Sequence, residues 1–318
     1  MQYQRLGQAG VKISRLSFGS WVTFSKQVDL KLATECMSVA YDYGVNFFDN
    51  AEVYANGKSE EIMGEVIKKL NWPRMKYMTS TKFFWGISDG PNERNTLNRK
   101  YLMHAIQGSL KRFNTDYFDL VYCHRPDPET PMTEIVWSMH DMIDRGYALY
   151  WGTSEWSGAQ ILEAYAVAEK YNLRAPIVEQ PEYNLFRRDK VETDFLPVYE
   201  KHQMGLTTWS PLASGILTGK YLNGKIPEGS RLDLKSMSWL KDDALNQKSI
   251  SRVEKFVKIA NDLSVEPAAL AIAWCLKNKN VSSVITGATS VDQIHKNMKA
   301  LDVVSQLSDE VMTILNQI

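Results

Sequence analysis

The 318-residue sequence predicts an α/β fold of one kind, a parallel (β/α)8 TIM barrel forming a single domain over residues 1–318. Three observations carry this expectation. Short apolar runs, most of them ending at a polar residue, alternate with stretches of helical periodicity until eight strands are counted. None of these runs is followed by a G-x-G-x-x-G fingerprint, which an open dinucleotide-binding sheet would normally carry. The chain has no low-complexity tract or linker, and barrels commonly use ~250 residues or more as one unit.

The elements follow in order. Residues 3–13 alternate loosely around Gly7 and Gly10 and predict a short hairpin ahead of the main fold. Residues 16–18 form the first buried strand. Leu32, Cys36 or Met37, and Ala40 then recur at helical spacing over 29–43, with Asp29 as N-cap and Gly44 at the stop. The alternation repeats with strand 45–49 and helix 59–70, the latter entered through Gly57 and Ser59 as punctuation. Strand 77–82 precedes helix 99–113, whose apolar stripe is Leu102, Ile106, Leu110 and Phe113. Strand 117–124 leads to helix 132–145, strand 148–154 to helix 157–171, strand 177–180 to helix 194–202, and 205–209 is the seventh strand. A long loop rich in Gly, Ser and Pro follows, over 211–248; loops of this length in compact domains are usually functional or disordered. Helix 249–263, a helix from Pro267 at its first position to Lys277, strand 284–286 and helices 290–300 and 308–316 complete the pattern.

Composition excludes several function classes. Hydrophobic residues at 44% and charged residues at 23% describe an ordinary globular chain, and 37 Lys+Arg against 37 Asp+Glu leave no bulk field to attract nucleic acid or an anionic membrane. No signal-peptide layout and no apolar run of about eighteen residues is found, which predicts a cytoplasmic protein without membrane insertion. Cys36, Cys123 and Cys275 are scattered without metal-ligand spacing and read as reduced core thiols.

In a barrel, residues at the C-terminal ends of different strands share one mouth. Here those residues are Asp49, Lys82, His124, Ser154, Gln180 and Ser210, with Tyr54 on the loop after Asp49. Each has a plain reading: an acid ending a strand, a tyrosine covering a loop, a lysine reaching water. Lys82 is followed by Phe83, Phe84 and Trp85, where an ammonium needs a carboxylate partner, and Asp49 can be that partner. His124 is the only histidine at a strand end. A lysine beside a phenol is expected to lower the pKa of Tyr54 from about 10, while His124 polarises a carbonyl oxygen. Asp49, Tyr54, Lys82 and His124 thus form a proton-donating set. A carbonyl protonated at oxygen needs a hydride at carbon, which only a cofactor can bring. A metal-dependent hydrolase is disfavoured, since Lys82 stands where a second metal ligand would be needed.

These residues sit in stretches that resemble the aldo-keto reductase family, in the branch of voltage-gated potassium channel beta subunits and their bacterial relatives. F-F-D-N-A-E-V-Y-A-N-G-K-S-E-E, S-T-K-F, D-L-V-Y-C-H-R-P-D, W-G-T-S-E-W, V-E-Q-P-E-Y-N and W-S-P-L-A-S-G-I-L-T-G-K-Y carry the resemblance across the chain in the family's order. It implies NADPH-dependent reduction of small aldehydes or ketones, with Asp49, Tyr54, Lys82 and His124 as catalytic tetrad. Ser154 and Gln180 would then hold the nicotinamide carboxamide, and Trp209, Ser210, Pro211, Leu212, Ala213 and Ser214, with Lys220, would wrap the pyrophosphate. Arg231, Gln293 and Asn297 match the adenosine end, where a guanidinium suits a 2′-phosphate and so favours NADPH. Ser20, Trp21, Gly287 and Thr289 complete the implied cofactor contacts. Trp21, Tyr54, Trp85 and His124, with Trp239, would line the substrate pocket. The branch also implies a homotetramer and, as the alternative function, a redox-sensing regulatory subunit of a membrane protein such as a potassium channel. Glu155, Gly229 and Lys296 depart from the channel-subunit pattern. So does His124, in place of asparagine, and that departure favours a working reductase.

Overall fold

The computed structural model describes residues 1–21, 29–224, 226–228, 230–233, 241 and 245–318, with Arg231 described in its backbone alone. Strands Leu16–Gly19 (β3), Phe47–Asp49 (β4), Met78–Phe83 (β5), Phe118–Cys123 (β6), Ala148–Thr153 (β7), Val178–Glu179 (β8), Gly205–Thr208 (β9) and Val281–Thr286 (β10) close into a parallel barrel in the order β10-β3-β4-β5-β6-β7-β8-β9. The expected (β/α)8 barrel is therefore the fold. Two earlier strands, Tyr3–Arg5 (β1) and Lys12–Ser14 (β2), form the expected antiparallel hairpin.

Between the strands run helices Leu30–Asp42 (α1), Lys58–Leu70 (α2), Arg99–Phe113 (α3), Met132–Asp144 (α4), Gly158–Tyr171 (α5), Leu196–His202 (α6), Gln247–Asp262 (α7) and Pro267–Lys277 (α8). After β10 come Val291–Met298 (α9), Ala300–Val303 (α10) and Asp309–Asn316 (α11). Their ends follow capping chemistry. Asp29 accepts from the Leu32 amide at α1, Asn98 from the Tyr101 amide at α3, and Ser157 and Gln160 form a capping box at α5. Asn114 closes α3 in the left-handed conformation, which the local hydrogen bonding of asparagine tolerates. α8 is buried over most of its length, and no single helix among the described residues is long and apolar enough to cross a membrane.

Strand residues two apart share a face. Phe48, Phe83, Val121 and Cys123 face outward into the shell packed under the helices, which also takes Cys36 and Cys275. Phe47, Met78, Leu120, Tyr122 and Val178 face inward and meet Leu6 and Ile13 of the hairpin, so the N-terminal end of the barrel is plugged with apolar side chains. The plug fits closely. A Cβ on Gly7, whose φ is +59°, would lie 2.6 Å from the amide nitrogen of Gly205, and a Cβ on Gly205 would lie 2.4 Å from that of Gly7. Only glycine at both positions lets the hairpin turn rest on the start of β9.

Candidate functional site

At the opposite end of the barrel the inward positions turn polar. Asp49 is the last residue of β4, and Lys82, the penultimate residue of β5, is fully buried beside it. Lys82 Nζ donates to Asp49 Oδ2 at 2.6 Å, to the Asn50 carbonyl at 2.7 Å and to the Tyr54 hydroxyl at 3.2 Å. The three donors of the ammonium are thereby matched, which is what a buried cation requires. Asp49 is held on its other oxygen by Ser80 Oγ at 2.8 Å and Gln180 Nε2 at 3.1 Å. Tyr54 reaches this cluster because the chain beyond it, Ala55, Asn56 and Gly57, runs through three consecutive left-handed residues. That tight turn folds the loop back so that the Tyr54 ring sits 4.8 Å from Lys82 Nζ.

His124 follows β6 directly. Its imidazole meets the Tyr54 ring edge-on at 5.9 Å and the Trp85 ring at 6.5 Å. Burial, with Lys82 and Arg125 adding to it, holds the imidazole well below its ordinary pKa, so the ring is neutral. Nδ1 is buried without a hydrogen-bond partner. Lys82 is pushed up: burial opposes its charge, but Asp49 and Tyr54 outweigh that. For Tyr54 the expected lowering is reversed. Desolvation raises the hydroxyl above its ordinary value, and Lys82 pulls back without overcoming it. Tyr54 is therefore a firmly protonated donor at neutral pH.

A brace behind the loop is a feature sequence reasoning missed. Glu52, two residues before Tyr54, accepts a hydrogen bond from Tyr101 and lies 3.6 Å from Arg112, which also pairs with the buried Glu60 at 2.7 Å. Burial pushes the Glu52 carboxyl up to about 7. Ser59 belongs to this supporting layer. It is not the cap of α2, a position taken by Gly57, and its hydroxyl instead donates to Ser20 Oγ at 2.9 Å. Ser20 in turn donates to the Asp49 carbonyl. Of the implied cofactor contacts, Ser20 thus lies behind Asp49, and Ala213 is likewise buried outside the cleft lining.

The other described contacts converge on one cleft of about 670 Å³. Trp21, Tyr54, Trp85 and His124 line one end together with Arg125. Asp49, Ser154, Gln180 and Trp209 also line it, and Ser154 Oγ donates to the Gln180 carbonyl at 2.8 Å. Ser210, Pro211, Leu212, Ser214 and Lys220 form the wall contributed by the loop after β9. Gly287, Thr289, Gln293 and Asn297 close the far end, where Gln293 Oε1 accepts from the Thr289 amide and Asn297 donates to the Gly287 carbonyl. Arg231 lies in a 3-10 turn, its side chain outside the described residues, as are Trp239 and Gly229.

The residues present fit an anionic dinucleotide. Ser210, Ala213, Ser214 and Gly215 have left-handed backbone, a conformation that makes concave anion-binding turns. Lys220 borders that turn and has no carboxylate within ion-pair distance among the described residues. Ser230 Oγ is buried on the cleft wall without a partner. Glu155 has its own place: its carboxylate accepts from the Trp209 indole at 3.1 Å and pairs with Lys190 at 2.7 Å, bracing Trp209 edge-on against Trp21. Lys296 is tied to Asp292 on the exposed side of α9. Tyr183 is buried against Trp274, away from the cleft lining.

Comparison with known proteins adds two findings. The sequence profile described as the aldo/keto reductase family matches residues 15–318. A protein of Oryza sativa subsp. japonica named "Probable voltage-gated potassium channel subunit beta" is 54% identical over 312 residues, 98% of this chain and 94% of that protein. One of the same name from Arabidopsis thaliana is 54% identical over 318 residues, 100% of this chain and 96% of that protein.

Proposed function

This chain belongs to the aldo/keto reductase family, and from that membership we propose that it reduces small aldehydes or ketones to alcohols with NADPH, Tyr54 acting as general acid. The observation that carries the reading is the contact of the Tyr54 hydroxyl with a fully buried Lys82 that Asp49 keeps charged. When bound, NADPH supplies the hydride for the carbonyl carbon. Tyr54 delivers the proton to the carbonyl oxygen, and Lys82 stabilises the charge left on the phenol oxygen as the proton departs. Asp49 holds the lysine through one oxygen while Ser80 and Gln180 hold Asp49 through the other. The neutral His124 steers the carbonyl oxygen toward Tyr54 by a hydrogen bond. Trp21 and Trp85 give the reacting end of the cleft aromatic walls beside Arg125. Ser154 and Gln180 would hold the carboxamide, the 209–214 turn with Lys220 the pyrophosphate, and Gln293, Asn297 and Arg231 the adenosine end.

Purified protein offered 4-nitrobenzaldehyde or methylglyoxal is expected to consume NADPH, followed by its absorbance. Tyr54→Phe is expected to lose turnover by roughly 10²–10⁴-fold while NADPH binding, measured by calorimetry, persists. Normal turnover by that variant would show that the acid is another group. Equal activity with NADH would remove the 2′-phosphate role given to Arg231.

The names of the two plant relatives favour a second reading, a subunit of a voltage-gated potassium channel, and we add to it the proposals that it senses nicotinamide redox state and assembles as a homotetramer. On this reading the cleft retains NADPH and the protein turns over no aldehyde. Light scattering would test the tetramer, and NADPH binding without any turnover across an aldehyde panel would favour the regulatory role. The chemical completeness of the Asp49, Tyr54, Lys82 and His124 set supports the enzyme.

A further inference from the structure

Arg125 stands at the substrate end of the cleft with work undone. It is partly buried and lines the cleft beside His124, Trp85 and Tyr54. One guanidinium nitrogen donates to the His124 carbonyl, and the group lies 5.7 Å from the centre of the Trp85 ring. These two contacts hold the group in place, yet they use one of its five N–H donors. No carboxylate comes within ion-pair distance of it among the described residues. The other charges on the lining do not answer it. Asp49 is paired with Lys82, Glu228 makes no ion pair with Arg125 among the described residues, and Lys220 is itself a cation. Its field is felt at the reacting groups, since it depresses the protonation of both His124 and Tyr54. A fixed, partly desolvated guanidinium with free donors beside an aromatic ring matches a planar anion.

Building on the reductase reading above, we propose that Arg125 selects carbonyl substrates that carry a carboxylate, gripping that group while His124 and Tyr54 address the carbonyl. The contact is made to a part of the substrate that does not react, so it acts on recognition and leaves the proton and hydride positions unchanged. A charge-assisted pair of this kind is expected to be worth about ten- to a hundredfold in discrimination.

The test compares 4-carboxybenzaldehyde with its neutral methyl ester, methyl 4-formylbenzoate, each with NADPH. In the unaltered protein kcat/KM is expected to favour the carboxylate by about tenfold or more at low salt, with the preference shrinking in 0.5 M sodium chloride. In Arg125→Met the ratio between the two substrates should fall by about tenfold or more, and Arg125→Lys should recover part of it. A ratio near one in the unaltered protein, or a ratio that Arg125→Met does not move, would overturn the proposal and leave Arg125 as a brace for Trp85. Calorimetric binding of 4-(hydroxymethyl)benzoate, about tenfold or more weaker in Arg125→Met, reads the same contact without chemistry. Carboxylate-selective binding with no turnover of either aldehyde would sink the reductase reading and keep this one. Turnover of both aldehydes without preference would do the reverse.

Discussion

The two ends of the barrel are built from the same strands and do opposite things. β4 contributes Phe47 to the floor and Asp49 to the mouth, β5 Met78 and Lys82, and the β6 segment Leu120 and His124. Two or four residues along a strand separate an apolar layer from a polar one. The floor is sealed by Leu6 and Ile13 of the hairpin, both fully buried, whereas the mouth opens on a cleft. The difference teaches where stability and chemistry lie. Floor side chains gain from exclusion of water, while the mouth keeps charged groups buried at a cost that only matched partners offset.

The sharpest way to break this division is at the mouth. Lys82→Met is expected to lower turnover by roughly 10²–10⁴-fold and to leave Asp49 buried without its cation, a penalty of about 3–5 kcal/mol. If that variant does not fold, the pair Asp49→Asn with Lys82→Met removes the orphaned charge and should restore folding without activity. Substantial turnover in either protein would overturn the role given to Lys82. A smaller effect is expected at the floor, where Leu120→Ala should cost about 2–5 kcal/mol in a urea unfolding experiment and leave kcat within a few-fold. A large loss of kcat there would mean that floor and mouth are coupled.

The mildest test is pH. His124 is neutral because its pKa lies well below the ordinary histidine value, Tyr54 is held protonated and Lys82 charged. With a neutral aldehyde and saturating NADPH, kcat/KM should be flat from pH 6 to 9. It should decline only as pH passes the ordinary tyrosine value of about 10. A limb between pH 6 and 8 would mean either that an imidazolium takes part or that titration of Glu52, pushed up to about 7 in the brace behind the loop, is felt at Tyr54; Glu52→Gln would remove the second and leave the first.

Much of the mouth was legible because each residue ends an apolar run, a pattern that survives without knowledge of contacts. α3 lies where the stripe of Leu102, Ile106, Leu110 and Phe113 puts it. What was not legible is instructive. β10 begins at Val281, three residues before the expected start, because Ser282 and Ser283 resemble a loop. Inside a barrel Ser283 finds Ser17 at 2.9 Å, so a polar residue can sit in a central strand. The Glu52, Glu60 and Arg112 brace was hidden for a similar reason. Acids in the first turn of a helix and an arginine in the last turn of the next read as solvated ends that complement the helix dipoles. Only packing of α2 on α3 brings Glu60 and Arg112, 52 residues apart, into contact. The direction of the Tyr54 shift depended on how dry its surroundings are, a quantity that a neighbouring lysine does not reveal.

The seam between β10 and β3 joins Ser17 to Ser283 across 266 residues of chain, and Gln180 reaches Asp49 across 131. Contacts so distant along the chain form late, because a long loop must be closed before they return any free energy. A chain emerging from its N-terminus carries Asp49, Lys82 and His124 well before the ring that aims them exists. The cluster of Asp49, Tyr54, Lys82 and His124 is therefore a product of closure, and a nascent or truncated chain lacking β10 holds these residues without the ring that brings them together.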